Sequence, residues 1–409
     1  ALGWTDNSTT ATFSAITTAG MFLGALVGGI IGDKTGRRNA FILYEAIHIA
    51  SMVVGAFSPN MDFLIACRFV MGVGLGALLV TLFAGFTEYM PGRNRGTWSS
   101  RVSFIGNWSY PLCSLIAMGL TPLISAEWNW RVQLLIPAIL SLIATALAWR
   151  YFPESPRWLE SRGRYQEAEK VMRSIEEGVI RQTGKPLPPV VIADDGKAPQ
   201  AVPYSALLTG VLLKRVILGS CVLIAMNVVQ YTLINWLPTI FMTQGINLKD
   251  SIVLNTMSMF GAPFGIFIAM LVMDKIPRKT MGVGLLILIA VLGYIYSLQT
   301  SMLLITLIGF FLITFVYMYV CYASAVYVPE IWPTEAKLRG SGLANAVGRI
   351  SGIAAPYAVA VLLSSYGVTG VFILLGAVSI VVAIAIATIG IETKGVSVES
   401  LSIDAVANK

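Results

Sequence analysis

The sequence predicts an all-α membrane protein built as two related sets of spanning helices. Three observations predict it. Hydrophobic residues make up 56% of the 409 and charged residues 12%, with a mean hydropathy of +0.76; soluble domains carry roughly 25% charged residues. Uncharged runs cover 11–32, 102–126, 216–248, 281–329 and 350–391, and a helix needs about 20 apolar residues to cross the hydrocarbon core. Short polar motifs recur at nearly constant long separation, each where an apolar segment meets a polar loop.

Taken in order, spans are expected at about 11–32, 40–58, 62–86, 98–124 and 129–152, then at about 215–243, 250–273, 281–299, 302–328, 340–365 and 368–391. The two longest uncharged runs each hold two crossings, divided at Gln299-Thr300-Ser301 and at Ser364-Ser365-Tyr366-Gly367. Spanning strands would need alternating segments of about 10 residues, and the sequence has none. Between the halves, 164–175 has helical spacing, while Lys185–Pro189 and Asp194–Lys197 break it. That stretch reads as a solvated linker with one short amphipathic helix. The expected division is 1–159 for the first bundle, 160–210 for the linker, 211–395 for the second bundle and 396–409 for a tail. Five spans stand against six. The repeat offset therefore places a further helix ahead of Ala1, and Trp4–Asn7 resembles an external loop; the expectation is eleven visible helices of twelve, the first missing.

The net charge of +7 does not signal nucleic acid. Of the 28 Lys and Arg, 23 fall in loops or ends on one side. Arg131 and Lys249 fall on the other, and Arg68, Arg101 and Arg349 inside spans. This asymmetry marks the basic side, with the linker and the C-terminus, as cytoplasmic. Cys67, Cys113, Cys221 and Cys321 all lie in apolar spans without paired spacing, as small buried hydrophobes do. One histidine and no Cys/His cluster leave no metal or cofactor site in prospect, and no nucleophile–base constellation suggests an enzyme.

The repeats are specific. Gly29–Arg38, containing Gly32-Asp33-Lys34-Thr35-Gly36-Arg37-Arg38, echoes in Asp274-Lys275-Ile276-Pro277-Arg278-Lys279. Glu88-Tyr89-Met90-Pro91, followed by Arg95, returns as Glu330-Ile331-Trp332-Pro333, followed by Arg339. Glu154-Ser155-Pro156 has its counterpart in Glu392-Thr393-Lys394. The acidic pairs Asp33/Asp274, Glu88/Glu330 and Glu154/Glu392 are 241, 242 and 238 residues apart. Two copies of one helical plan are the layout of an alternating-access transporter.

With Arg68-Phe69-Val70-Met71-Gly72-Val73-Gly74 and Pro153-Glu154-Ser155-Pro156-Arg157-Trp158-Leu159, these motifs run in order over almost the whole chain. In this the chain resembles the major facilitator superfamily, in its sugar-porter and metabolite–proton symporter branch, and bacterial inner-membrane metabolite transport proteins. The resemblance implies the two-bundle fold. It also implies a cytoplasmic gate in which Asp33, Arg37, Arg38, Glu88, Arg95, Glu154, Arg157, Asp274, Arg278, Glu330, Arg339 and Glu392 pair in one state and separate in another. Glu88 is expected with Arg95, Glu330 with Arg339 and Glu154 with Arg157. The plainer alternative is a set of exposed pairs worth ~0–1 kcal/mol each, serving as topology anchors.

Ionisable groups inside a span are costly and default to function. By the resemblance, Arg68 pairs with an acid on the first helix, where protons are coupled. Arg349 can grip a carboxylate through its planar fork or act as a tether; Arg101, at an edge, reads as a tether. Glu45 and His48, one turn apart, read as a structural pair. On the expected cavity helices, Asn227, Gln230 and Tyr231 offer polar groups where apolar ones would be cheaper, and Tyr319 and Tyr322 offer rings. Asn107 and Trp108 are further substrate-binding candidates, and Asn255 a weaker one.

The pattern departs from true sugar porters. Ala225 and Met226 stand where the family has paired glutamines, and Val229 and Tyr231 where it has Gly and Asn; Val320 and Ala325 replace tryptophans. Trp236-Leu237-Pro238-Thr239 and Gly348-Arg349 look more like organic- and aromatic-acid proton symporters. The expected function is secondary active transport of a small polar metabolite (organic acid, sugar acid or sugar), as proton-coupled uptake by alternating access through a monomer in the bacterial inner membrane, with lipid as its surroundings. A proton-coupled efflux antiporter and a transporter-like nutrient sensor are the alternatives.

Overall fold

The computed structural model describes residues 7–89, 95–184, 186–187, 203–333 and 336–394. Among the described residues every regular element is a helix. In order they are α1 (Asn7–Thr35), α2 (Arg37–Ala56), α3 (Met61–Tyr89), α4 (Arg95–Asn107), α5 (Ser109–Leu120), α6 (Ala126–Tyr151), α7 (Pro156–Ser161) and α8 (Tyr165–Thr183). There follow α9 (Tyr204–Leu207), α10 (Gly210–Thr243), α11 (Leu248–Met259), α12 (Gly261–Val272), α13 (Arg278–Ser297) and α14 (Met302–Cys321). A π-helical turn at Tyr322–Tyr327 leads into α15 (Val328–Glu330) and α16 (Lys337–Ile389).

Local chemistry explains the boundaries. Gly36, at φ +95°, separates α1 from α2, a conformation that side chains with a Cβ resist. Ser155 caps α7, its hydroxyl accepting from the Trp158 N–H, with Pro156 in the first turn. Asn247 caps α11 in the same way, accepting from Asp250 N–H at 2.9 Å. Gly184, left-handed at φ +64°, ends α8. Pro111 and Pro263 lack the N–H that would reach back four residues, and each follows an interruption, at Trp108 between α4 and α5 and at Phe260 between α11 and α12. α16 is two helices: Gly367 (φ +64°, ψ −160°) breaks it at the turn expected from Ser364–Gly367. Likewise, α13 stops at Ser297 and α14 starts at Met302, around the expected turn at 299–301.

Nine candidate spans occur among the described residues, long and apolar enough to cross a bilayer. Their outward faces suit lipid rather than water: Leu140, Ile143 and Leu147 of α6 are each more than half exposed. Lipid tails solvate such side chains, so helix association relies on close packing instead.

Two compact units form. The larger takes in 1–15, 97–129 and 199–409, and the smaller 16–96 and 130–198. This division differs from the boundaries expected at 159 and 211, since 97–129 groups with the later part of the chain. Inside the smaller unit, Gly24 of α1 meets the backbone of Val73 in α3, and Gly76 of α3 meets Met21 in α1, leaving no room for a Cβ at either. Inside the larger unit, α16 packs against α10 and α13, α14 against α12, and α11 against α5.

Candidate functional site

In the smaller unit the turn at Gly36 leaves the first N–H groups of α2 without intrahelical partners. Glu154 supplies the acceptor: its Oε1 takes the N–H of Arg37 at 2.6 Å and of Arg38 at 3.2 Å. The Ser155 N–H donates to the same oxygen at 3.0 Å. A carboxylate on a helix N-terminus also meets the positive end of the helix dipole, worth ~0.3–1 kcal/mol and up to ~2 where partly buried. A Cβ at Gly36 would overlap this carboxylate. Arg37 pairs with Asp33 at 2.7 Å. The Asp33 carbonyl accepts from Trp158 Nε1 and from the Arg162 guanidinium, both at 2.7 Å, which closes the end of α1. Arg38 donates to the Trp149 carbonyl. The expected Glu154–Arg157 pair is not what forms; Glu154 is taken up by backbone N–H groups, and Arg157 borders a depression with Asp33, Arg37, Trp158 and Arg162. The side chains of Glu88 and Arg95 lie outside the described residues.

The larger unit repeats the device. Glu392 accepts the N–H of Arg278 at 2.8 Å and of Lys279 at 3.1 Å, at the start of α13. Burial pushes the Glu392 carboxyl up. Backbone N–H bonds from Arg278, Lys279 and Lys394, with the Arg278 charge, outweigh this and hold it below its ordinary range. Asp274 meets Arg278 at 3.1 Å, as Asp33 meets Arg37. Arg278 is buried and forks onto Glu330, Nε to Oε2 at 3.0 Å and Nη2 to Oε1 at 3.1 Å. It also donates to the Met273 carbonyl. The Thr393 hydroxyl donates to Glu330 Oε2 at 2.6 Å. Glu330 therefore pairs with Arg278 and not with Arg339, whose guanidinium lies 5.2 Å from the Tyr204 ring centroid. A desolvated guanidinium requires a carboxylate, whereas Arg339, half-buried, is served by an aromatic face.

The expected substrate residues divide into two groups. Asn227, Tyr319, Tyr322 and Asn107 are engaged by protein. Asn227 and Asn107 donate to carbonyls one turn back, of Leu223 and Ser103, each at 2.7 Å. Tyr319 donates to the Val222 carbonyl at 3.1 Å. Tyr322 is fully enclosed, stacked on Tyr327 at 5.0 Å with its hydroxyl against Gly282. Trp108, partly exposed, makes edge contacts with Phe104 and Phe260. Gln230, Tyr231 and Arg349 instead come together, half-buried, with two tyrosines. Tyr231 lies within the electrostatic reach of Arg349 and beside Tyr110. Tyr317 is buried with its ring 5.2 Å from that of Tyr110, its hydroxyl beside Gln230 without a well-formed hydrogen bond.

Sequence reading passed over Tyr110 as a site residue. Its signal was its place beside Pro111, where a helix is interrupted and a side chain can leave the regular stripe. Arg68 is half-buried within α3. His48 Nδ1 lies 3.7 Å from Glu45 Oε2 on one face of α2.

Comparison with known proteins meets this geometry at residues 4–405, which match the family described as sugar (and other) transporter. The chain belongs to that family. It is thus a member of a transporter family and not of an enzyme family. The inner membrane metabolite transport protein YdjE of Escherichia coli (strain K12) is 44% identical over 98% of this chain and 88% of the relative. The niacin transporter NiaP of Acinetobacter baylyi is 26% identical over 94% of this chain and 85% of its own length. Among solved structures, the xylose transporter XylE of E. coli, in a partially occluded inward-open conformation, superposes with a TM-score of 0.76. It is 18% identical and aligns over 96% of this chain and 89% of XylE, a likeness of fold.

Proposed function

We propose that this transporter carries a small polar metabolite into the cell across the bacterial inner membrane by proton symport, its two bundles, 1–159 and 211–395, rocking about a midplane site. The observation that carries this reading is the recurrence of one charged device, Glu154 on the start of α2 and Glu392 on the start of α13. Dividing 339–389 at Gly367 and adding α4 with α5 turns the nine candidate spans into eleven. The basic loops and the linker face the cytoplasm, and both charged clusters, with Arg38, Arg95 and Arg339, form the gate on that side. Arg68 serves proton coupling, and the monomer is the working unit. An E. coli relative named for the inner membrane supports the location, and a proton:xylose symporter of the same fold supports the coupling. A proton moving down the membrane potential supplies ~2.3 kcal/mol per 100 mV, enough for accumulation. The test is uptake of candidate sugars and organic acids into proteoliposomes under an imposed proton gradient. Accumulation is expected to collapse with a protonophore. Uptake that continues unchanged would sink symport, and accumulation driven by an opposite gradient would make the chain an antiporter.

A further inference from the structure

We infer that Glu45 and His48 form a proton-exchange site inside the smaller unit, taking up and releasing one proton between them; what that proton does for cargo rests on the transport reading. Among the acids of the candidate spans, Glu45 alone lies outside the first and last turns. It sits eight residues past Arg37, the first of α2, hence about 12 Å along the helix, and it is buried. His48 is the only histidine of the chain. An ionisable group at such depth is costly and needs a partner. Glu154, Glu330 and Glu392 have theirs, in helix N–H groups or in Arg278. Glu45 has none of that kind. Its Oε2 is buried without a hydrogen bond, as is His48 Nδ1, and the two atoms stand 3.7 Å apart. That distance exceeds a hydrogen bond, so the two are not the closed structural pair that their spacing suggests.

The number of protons sets the charge. With none, the pair is a bare carboxylate beside a neutral imidazole; with one, on either group, it is neutral overall; with two, it is a cation. Apolar surroundings favour the neutral state. Further along the same face, Ile49 and Met52 pack with Met71 of α3 and Ala138 of α6. Gly74 of α3 seats against the Tyr44 carbonyl and the His48 backbone nitrogen, and the Tyr44 hydroxyl donates to the Gly28 carbonyl. No acid or base from the packed helices faces the pair at its own level. On α1 no titratable group precedes Asp33, on α3 none lies between Arg68 and Glu88, and on α6 none lies between Arg131 and Arg150. Cys67 seats at Gly55, which places the neighbouring Arg68 toward the far end of α2. On α2 itself, Arg37 and Arg38 are tied to Asp33 and to the Trp149 carbonyl. A guanidinium stays protonated and exchanges nothing, whereas an imidazole and a carboxylate can, and at this distance they titrate as one unit. The proton comes from water and returns to water, and no other bond changes.

The experiment isotope-labels the histidine ring nitrogens of the full-length chain and follows their magnetic resonance signal in lipid nanodiscs across about pH 4 to 10, either side of the ordinary imidazole range. A single histidine leaves no ambiguity of assignment. The signal is expected to report one protonation step, and Glu45→Gln to weaken proton binding roughly ten-fold or more by removing the facing carboxylate. Glu45→Asp keeps the charge and draws it back from the ring, so its effect is expected to fall between the two; this comparison stands even if the glutamine variant fails to fold. A signal that does not change with pH, or a transition identical in every variant, overturns the inference. Proton-driven uptake of sugars or organic acids by a chain whose histidine signal stays fixed overturns the site and leaves symport standing. A titrating pair in a chain that accumulates none of them under the gradient supports the site and sinks symport.

Discussion

The two charged clusters begin alike and are secured differently. In both, a carboxylate about 115 residues downstream seats on the first N–H groups of a helix, and an Asp–Arg pair one turn apart flanks it. In the smaller unit the seat depends on Gly36, and the segment after Glu154 becomes α7, whose Trp158 reaches back to Asp33. In the larger unit Pro277 replaces the glycine turn, and no helix follows Glu392 within the described residues. Tyr327 holds Ile391 through both its N–H and its carbonyl, while Thr393 and Arg278 converge on Glu330. A duplicated sequence motif thus preserves the helix cap and leaves the surrounding lock free to diverge. Capping needs only backbone N–H groups, which any helix start provides.

The sharpest way to break the likeness is Arg278→Met. It strands Glu330 beside buried surface; removing one member of a buried pair costs about 3–5 kcal/mol. Glu330 remains about a third exposed, with its side chain at 35%, so roughly 2–3 kcal/mol is expected. Thermal unfolding in detergent reads it, and a loss no larger than that of Asp274→Asn would show that the fork adds nothing. Next is Gly36→Ala, with no counterpart at Pro277. A left-handed backbone and a Cβ against Glu154 together predict about 1–3 kcal/mol of destabilisation, visible as a lowered melting temperature. An unchanged melting temperature would mean that the cap can move without loss. Smallest is Glu392→Gln, at ~0.3–1 kcal/mol. Because the folded Glu392 carboxyl titrates below its ordinary range, its contribution is present above that range and lost as pH falls through the folded value. The variant should flatten the acid limb of the stability profile. A profile parallel to that of the unaltered chain would remove Glu392 as a source of acid sensitivity.

Much of this layout is written in single residues. Gly36, Ser155-Pro156 and Gly367 mark breaks or starts through their own backbone preferences, so the helix limits near them follow from the chain. Asp33 and Asp274 sit one turn before their arginines, and helical spacing alone brings each pair together. The partners of Glu330 and Glu154 were not readable in this way. Arg339 and Arg157 lie nearest along the sequence, yet Glu330 found Arg278, 52 positions away, and Glu154 found a helix end, 117 away. Tyr110 was passed over because a tyrosine in a span most often only packs, and its place beside Pro111 was the one feature that set it apart. Asn227, chosen for its polarity, and Tyr319, chosen for its ring, each donate to a carbonyl of α10.

Hydropathy, helix-breaking residues and the repeat of acidic motifs were enough to point to a helical membrane protein of this family with a charged motif recurring in each half, because each can be read along the chain. Which charge meets which, and which polar side chains gather around Arg349, came from how the helices cross. Desolvation selects partners by proximity in space, and a guanidinium buried among helices takes whichever carboxylate the packing presents to it.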